Sequence, residues 1–401
     1  MGFSSKVSER AVQALDAFAV EIPSWGFANT GTRFGKYVQA AAATTIEEKF
    51  SDAAEVNHLT GATPTMALHV LWDFPNGVAD VDRVRALERQ FGIRAGSINP
   101  NLFQSQQYKF GSLCNPSAVI RDEAVEHVLT SIQIGVELGS RDISMWVADG
   151  SNYPGTQSIR KRIVWLEEAL QKAHAAMQPG QRLLVEYKPF EPAFYHTDIA
   201  DWGMALHLAK AAGPQAKVLV DLGHHYAGQN IEQIVAWLLH TGMLGGFHFN
   251  DRRYADDDLT LGSIDPYQVF RIFHEIHLHE VRAAKGDGME LDVAFMIDQS
   301  HNLKDKMEAM VQTVVAAQEL WLKAALVDRE HLSNLQDECR LVEAEELFRG
   351  AFWTDVRPLV AEWRAARELP IDPLAALREC GYVERITKER GGKQSVGGSY
   401  A

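Results

Sequence analysis

Eight short apolar runs constrain this chain more than any other feature, each closing on polar or aromatic residues and each followed by a longer stretch of helical periodicity. They read FAVEIPSW (18–25), TMALHVLWD (65–73), IRAGSINPNLF (93–103), RDISMWVAD (141–149), RLLVEYKPF (182–190), AKVLVDLGHH (216–225), GGFHFND (245–251) and VAFMIDQSH (293–301). The segments between them, such as DVDRVRALERQFG, RKRIVWLEEALQKAHAAM and NIEQIVAWLLHTG, are amphipathic with Gly or Pro at the joins. Strand-plus-helix units repeated in this order predict an α/β fold, a closed parallel (β/α)8 barrel of the TIM type, rather than an open doubly wound sheet. No Gly-rich dinucleotide fingerprint follows the first run. In such a barrel the reactive site lies at the carboxyl ends of the strands, so the residues closing each run carry the functional information.

NLKDKMEAMVQTVVAAQELWLKAAL reads as the last barrel helix, which places the barrel over residues 1–325 and leaves 326–401 as a C-terminal α-helical extension. Its amphipathic segments LVEAEELFRGAFW and DVRPLVAEWRAAREL need an apolar surface to bury against, and a neighbouring subunit is the expected cover. The closing GGKQSVGGSYA reads as a loose tail.

Composition narrows the partners. A formal charge of −14 argues against nucleic acid or an anionic membrane surface, both of which need a basic face. There is no signal-peptide core and no apolar run of about 18 residues, so a cytoplasmic protein is expected. Three cysteines (Cys114, Cys339, Cys380) without paired metal-site spacing read as reduced and buried.

Acids and imidazoles collect at the later strand ends. The fifth run ends with Glu186 and Lys188, the sixth with Asp221 and His224, the seventh with His248 followed by Asp256 and Asp258, and the eighth with Asp298. Glu186 and Lys188 are two apart and share one face of a strand, while Gly223 frees the chain to turn so that His224 approaches from the side. Any one of these pieces alone reads as a solvated loop or a helix cap. Together they form an oxygen-rich set with two imidazoles, suited to Mn²⁺, Mg²⁺ or Co²⁺, and two such ions would relieve the repulsion among clustered carboxylates.

With these residues in view, the chain resembles the xylose isomerase-like barrels and, within them, the L-rhamnose isomerases of the broad-specificity Pseudomonas type. The resemblance runs from EIPSWGFANTGTRFGKY through LHVLWDFP, MWVADGSNYPG, VEYKPFEP, DLGHH and FHFNDRRYADDDL to FMIDQSHN. It implies a structural metal on Glu186, Asp221, His248 and Asp298, and a catalytic metal on Asp221, His224, Asp256 and Asp258, with Mn²⁺ the expected ion. Xylose isomerases proper carry Glu in place of Asp221 and a carboxylate in place of His248, a departure that favours the rhamnose-type subgroup. The implied activity is interconversion of an aldose and a ketose, most simply L-rhamnose and L-rhamnulose, in a homotetramer.

Roles follow for the remaining strand-end residues. His69, with Asp73 nearby, is the expected acid or base at ring opening, and Lys188 the donor to O1. Asp298 is the candidate base if the proton leaves carbon rather than shifting directly. Trp25, Trp72, Phe103 and Trp146 are expected to wall the sugar, and Phe34 resembles the family residue that reaches into a neighbouring subunit's pocket. The rival readings are a sugar epimerase or other sugar isomerase on the same barrel, which for an epimerase would need one metal only, and an abasic-site endonuclease, which would need more His ligands and a basic face.

Overall fold

Each apolar run condenses into a strand shorter than itself, and the functional side chains lie on the last strand residues and on the loops that follow. The computed structural model describes residues 4–29, 37–189, 191, 194–254, 258–301 and 303–391, so the predicted site residues Phe34 and Asp256, with the Gly/Ser-rich tail, lie outside the described residues. The strands are β1 (Ile22–Pro23), β2 (Thr65–His69), β3 (Arg94–Asn99), β4 (Asp142–Met145), β5 (Arg182–Glu186), β6 (Ala216–Asp221), β7 (Leu244–Phe249) and β8 (Ala294–Ile297). They pair in that order, all parallel. Glu21 closes the ring, its N–H donating to Phe295 O and its carbonyl accepting from Ile297 N, both at 2.8 Å. The fold is therefore the expected (β/α)8 barrel followed by C-terminal helices.

Strand alternation sorts the side chains. Phe247 and Phe249 point outward to the helices, where Phe249 meets Phe273 at 5.3 Å and Phe273 meets Trp321 at 5.3 Å; His248 between them faces the lumen. Leu184, Leu219 and Met296 form a separate buried cluster in the lumen. Each lies two residues before a carboxylate, namely Glu186, Asp221 and Asp298, so an apolar plug sits directly beneath the acids. Gly246, two before His248, keeps the plug intact: a Cβ there would meet Met296 Cε at 3.2 Å and Leu184 Cδ1 at 3.3 Å.

The helices start where the loops end in a capping residue. Thr45 and Glu48 form a capping box on Ile46–Thr60, and Asp201, Asn230, Asp265 and Asp305 cap later barrel helices. A short antiparallel ribbon, Gly150–Ser151 with His196–Thr197, ties the loops after β4 and β5.

The extension is helical, in segments Arg329–Asp337, Leu341–Trp353, Arg357–Ala365, Pro373–Glu379 and Tyr382–Arg390. Part of its apolar face is covered within the chain. Leu359, Val360 and Trp363 pack on Ala11, Leu15, Leu322 and Ala325 of the same chain, because the N-terminal helix Ser5–Ala17 presents a matching apolar stripe. Arg390 donates to Asp52 at 2.8 Å through both terminal nitrogens, and Tyr382 Oη donates to the same buried carboxylate at 2.8 Å. Leu341, Val342 and Trp353 remain exposed. The cysteine expectation is corrected in part: Cys114 is buried, but Cys339 and Cys380 are exposed, since both sit at the ends of extension helices. Among the described residues no helix is long and apolar enough to cross a membrane.

Candidate metal centre

Glu186, Asp221, His248 and Asp298 converge at the strand ends, and one ligand atom from each lies within 4.8 Å of all the others. His248 Nδ1 stands 3.3 Å from Glu186 Oε1, 3.7 Å from Asp221 Oδ2 and 3.6 Å from Asp298 Oδ2. The convergence follows from register, since Asp221 is the direct partner of His248 and both side chains share the lumen face. Glu186, Asp221 and His248 are buried.

Charge in this pocket is out of balance. Burial raises Asp221 well above the usual carboxylate range, the neighbouring Glu186 and Asp298 adding to the effect. Asp298 is raised for the same reason, with Glu186 contributing. Burial also opposes a charge on His248, yet Glu186, Asp298 and Asp221 overcome it and lift the imidazole to about 9. Glu186 stays ionised against its burial because His248 and His224 face it. Three acids that share one imidazolium fit a hard divalent cation, for which carboxylate oxygens and a histidine nitrogen are suitable donors.

Two residues that the sequence reading did not assign to the metal complete the surroundings. Asn250 donates from Nδ2 to Asp221 Oδ1 at 3.1 Å, to Asp221 Oδ2 at 3.2 Å and to Asp298 O at 3.1 Å, while its own Oδ1 is buried without a hydrogen-bond partner. Gly223 N donates to Asp221 Oδ1 at 2.6 Å. Asn250 lay in view within FHFND, but only an assembled barrel shows that an amide two residues after His248 reaches across to β6. Trp25 also differs from its expected role as wall alone, since its Nε1 donates to Asp298 Oδ1 at 2.9 Å.

The remaining predicted ligands are placed less uniformly. His224 Nδ1 adjoins the centre, 3.1 Å from Glu186 Oε1 and 3.1 Å from Tyr187 O. Asp258 is partly buried with φ of 49° and stands outside the four-residue group. The Lys188 ammonium is paired with Glu191 and lies 4.9 Å from the centroid of the Trp146 ring.

An aromatic arc runs along the opposite side of the mouth. His69 stacks on Trp72 at 4.1 Å and meets Trp25 and Phe103 edge-on at 5.7 Å each; Phe103 meets Trp146 at 4.9 Å. Loops β1 to β5 are thereby joined from Trp25 to Lys188. Asp73 lies near His69 and meets its backbone, not its ring. The Asp73 carboxylate accepts from His69 N at 2.8 Å, Ser24 Oγ at 2.5 Å and Lys49 Nζ at 2.6 Å, because the turn folds its side chain back under the backbone. His69 Nδ1 faces Val70 O at 3.2 Å, and burial pushes the imidazole down to about 4. It is a neutral ring whose Nε2 lone pair is available.

A second acidic grouping, Cys114, Asp149 and Asp198, already has its cation. Arg162 donates to Asp198 from Nε at 2.9 Å and from a terminal nitrogen at 2.6 Å.

Residues 53–307 match the family described as xylose isomerase-like TIM barrel. The chain is 41% identical over 381 residues to a "Probable sugar isomerase" of Mesorhizobium japonicum, a match covering 94% of this chain and 87% of that protein. It is 40% identical over 394 residues to another of that description from Rhizobium meliloti, covering 97% and 90%. Among solved structures, a xylose isomerase domain protein of Alicyclobacillus acidocaldarius superposes with a TM-score of 0.56 at 14% identity, over 77% of this chain and 99% of that one, a likeness of fold. The chain belongs to the xylose isomerase-like TIM barrel family.

Proposed function

We propose that the chain is a divalent-metal-dependent aldose–ketose isomerase acting on L-rhamnose and related aldoses. The observation that carries the reading is the convergence of Glu186, Asp221, His248 and Asp298 at the strand ends, facing an arc of aromatics that contains a neutral histidine. Strong identity to proteins described as sugar isomerases supports it.

Glu186, Asp221, His248 and Asp298 would hold the first ion, and Asp221, His224, Asp256 and Asp258 the second, with Mn²⁺ the expected metal and Co²⁺ or Mg²⁺ able to replace it. Bound divalent ions supply Lewis-acid stabilisation of the negative charge that develops on O1 and O2. His69 Nε2 takes the proton from the anomeric hydroxyl of the ring form and returns it to the ring oxygen, which opens the sugar to the aldehyde. Hydride then moves from C2 to C1 while the proton on O2 passes to O1, so that the site neither gains nor loses a proton. Lys188 stabilises O1 as its charge grows, and Glu191 pairs with the ammonium. Trp25, Trp72, Phe103 and Trp146 exclude water, which favours direct transfer over an exchangeable proton; Phe34 of a neighbouring subunit would extend that wall in a homotetramer.

Metal-loaded protein tested against L-rhamnose, L-mannose, L-lyxose, D-allose and D-ribose, with ketose formation as readout, checks the reading directly. Turnover on L-rhamnose is expected, and full turnover after chelation would overturn it. In D₂O the ketose should carry little deuterium at C1. A one-metal epimerase is the alternative favoured by one observation: among the described residues Asp221, His224 and Asp258 do not form a second ligand group. Binding of a single ion per chain, with epimer rather than ketose formed, would establish it.

A further inference from the structure

One carboxylate behind the aromatic arc ties two strand-end loops together, and its counter-charge comes from a helix rather than from either loop. We infer that Lys49 and Asp73 are positioning residues, a buried ion pair that sets His69 at a fixed place relative to the metal ligand Asp298. The inference rests on the reading above in which His69 opens the sugar ring.

The two oxygens of Asp73 have different partners. Oδ2 accepts from His69 N at 2.8 Å and from Ser24 Oγ at 2.5 Å, so it binds the turn after β2 to the loop after β1. Oδ1 accepts from Nζ of Lys49, on the helix Ile46–Thr60, at 2.6 Å. The Asp73 side chain is wholly buried, and that of Lys49 is 7% exposed. Apolar residues of the same volume hold a fold as well as a buried ion pair does, so stability alone does not call for one. What the pair supplies is direction: Lys49 holds Oδ1 to one side and leaves Oδ2 aimed at His69 N and Ser24 Oγ.

Both ends of this link reach the site. Ser24 precedes Trp25, whose Nε1 donates to Asp298 Oδ1 at 2.9 Å. On the other side, Asp73 N donates to His69 O at 2.9 Å, and the turn so closed lays Trp72 on the His69 ring at 4.1 Å. Within that turn Leu71 sits at φ of 85°, a left-handed conformation that a non-glycine residue keeps only when its surroundings impose it. Leu71 is 45% exposed, so its own packing is not the constraint; the hydrogen bonds between His69 and Asp73 at the two ends of the turn are. Contacts therefore run from His69 through Asp73, Ser24 and Trp25 to Asp298. A base must meet its proton in one geometry, and a misplacement of about 1 Å can cost about 10²-fold in rate.

The test is a double-mutant cycle on the metal-loaded full chain, with ketose formation from L-rhamnose read as kcat and KM, well below each variant's Tm. Lys49→Met leaves the Asp73 carboxylate without the partner that aims it, and kcat should fall by about 10-fold or more. Asp73→Asn should fall similarly, because the amide turns its NH2 group away from the Lys49 ammonium and onto His69 N and Ser24 Oγ, which are donors themselves. The double variant Lys49→Met, Asp73→Asn should recover to within a few-fold of wild type, since the amide oxygen can then take the place of Oδ2 and no ammonium faces the NH2 group. If Lys49→Met alone does not fold, Asp73→Asn against the double variant carries the same test. Variants whose Tm falls while kcat stays at the wild-type value would overturn the inference, because that is what a merely structural pair would show. A double variant no better than Asp73→Asn would also overturn it. Wild type that forms no ketose from L-rhamnose would overturn the functional reading above, and the inference with it.

Discussion

Lys188 lies two residues beyond Glu186, just past the end of β5. Its partner Glu191 and its position over Trp146 were decided by the loop after β5, which the short ribbon holds in place. Lys188→Met is expected to lower kcat by about 10²-fold or more with both ions retained, since the charge matters as O1 becomes negative; steady-state kinetics with metal analysis checks it. Glu21 gives a residue-scale prediction on stability. It is buried in the barrel and accepts from Ser97 N at 2.9 Å and Ser97 Oγ at 2.6 Å, and burial lifts its carboxyl to about 7. The folded chain therefore holds this proton more tightly than the unfolded chain, whose glutamate titrates near about 4.3. The stabilisation is complete below the unfolded value and is lost as pH rises through about 7, by roughly 4 kcal/mol. Urea unfolding should show wild type losing more stability than Glu21→Gln between about pH 5 and pH 8.

At the scale of elements, the barrel works as a set of two-residue steps. Leu184 to Glu186, Leu219 to Asp221 and Met296 to Asp298 each move from an apolar plug to a charged mouth along one face of one strand. The plug supplies the dry floor that makes Asp221 and Asp298 resist ionisation and favour a cation. The helices between strands matter chiefly through their starts. Asp305 accepts from Met307 N and Glu308 N at 3.0 Å each, at the head of the last barrel helix. Asp305→Ala should cost about 1 kcal/mol, seen as a lower urea midpoint with an unchanged m-value.

At the scale of the whole molecule, the extension is bound to the barrel by a buried ion pair. Arg390→Met would leave the Asp52 carboxylate buried with only Tyr382 as donor, at a cost of about 3–5 kcal/mol by denaturant unfolding. Metal removal acts on the molecule as a unit, because an ion that binds only the folded chain stabilises all of it. Chelation should lower Tm, and divalent ion restored at about 100 times its Kd should return about 2.7 kcal/mol. A Tm indifferent to chelator would count against a resident ion.

The sequence by itself determined the barrel, the order of its strands and which of them carry acids and imidazoles. Those properties are local: a period of two or 3.6 is written in neighbouring residues, and Glu186, Asp221, His248 and Asp298 each announce themselves at the end of an apolar run. Which atoms meet was decided only in three dimensions. Asn250 reaching Asp221 and Asp73 turning to Lys49 instead of the His69 ring both depend on segments from different parts of the chain. Tertiary structure likewise decided that the extension covers the chain's own first helix, since the apolar stripe from Ala11 to Leu15 shows no destination in the sequence. Periodicity says that a face must be buried, but its partner is chosen by the closed ring that brings the two ends of the chain together.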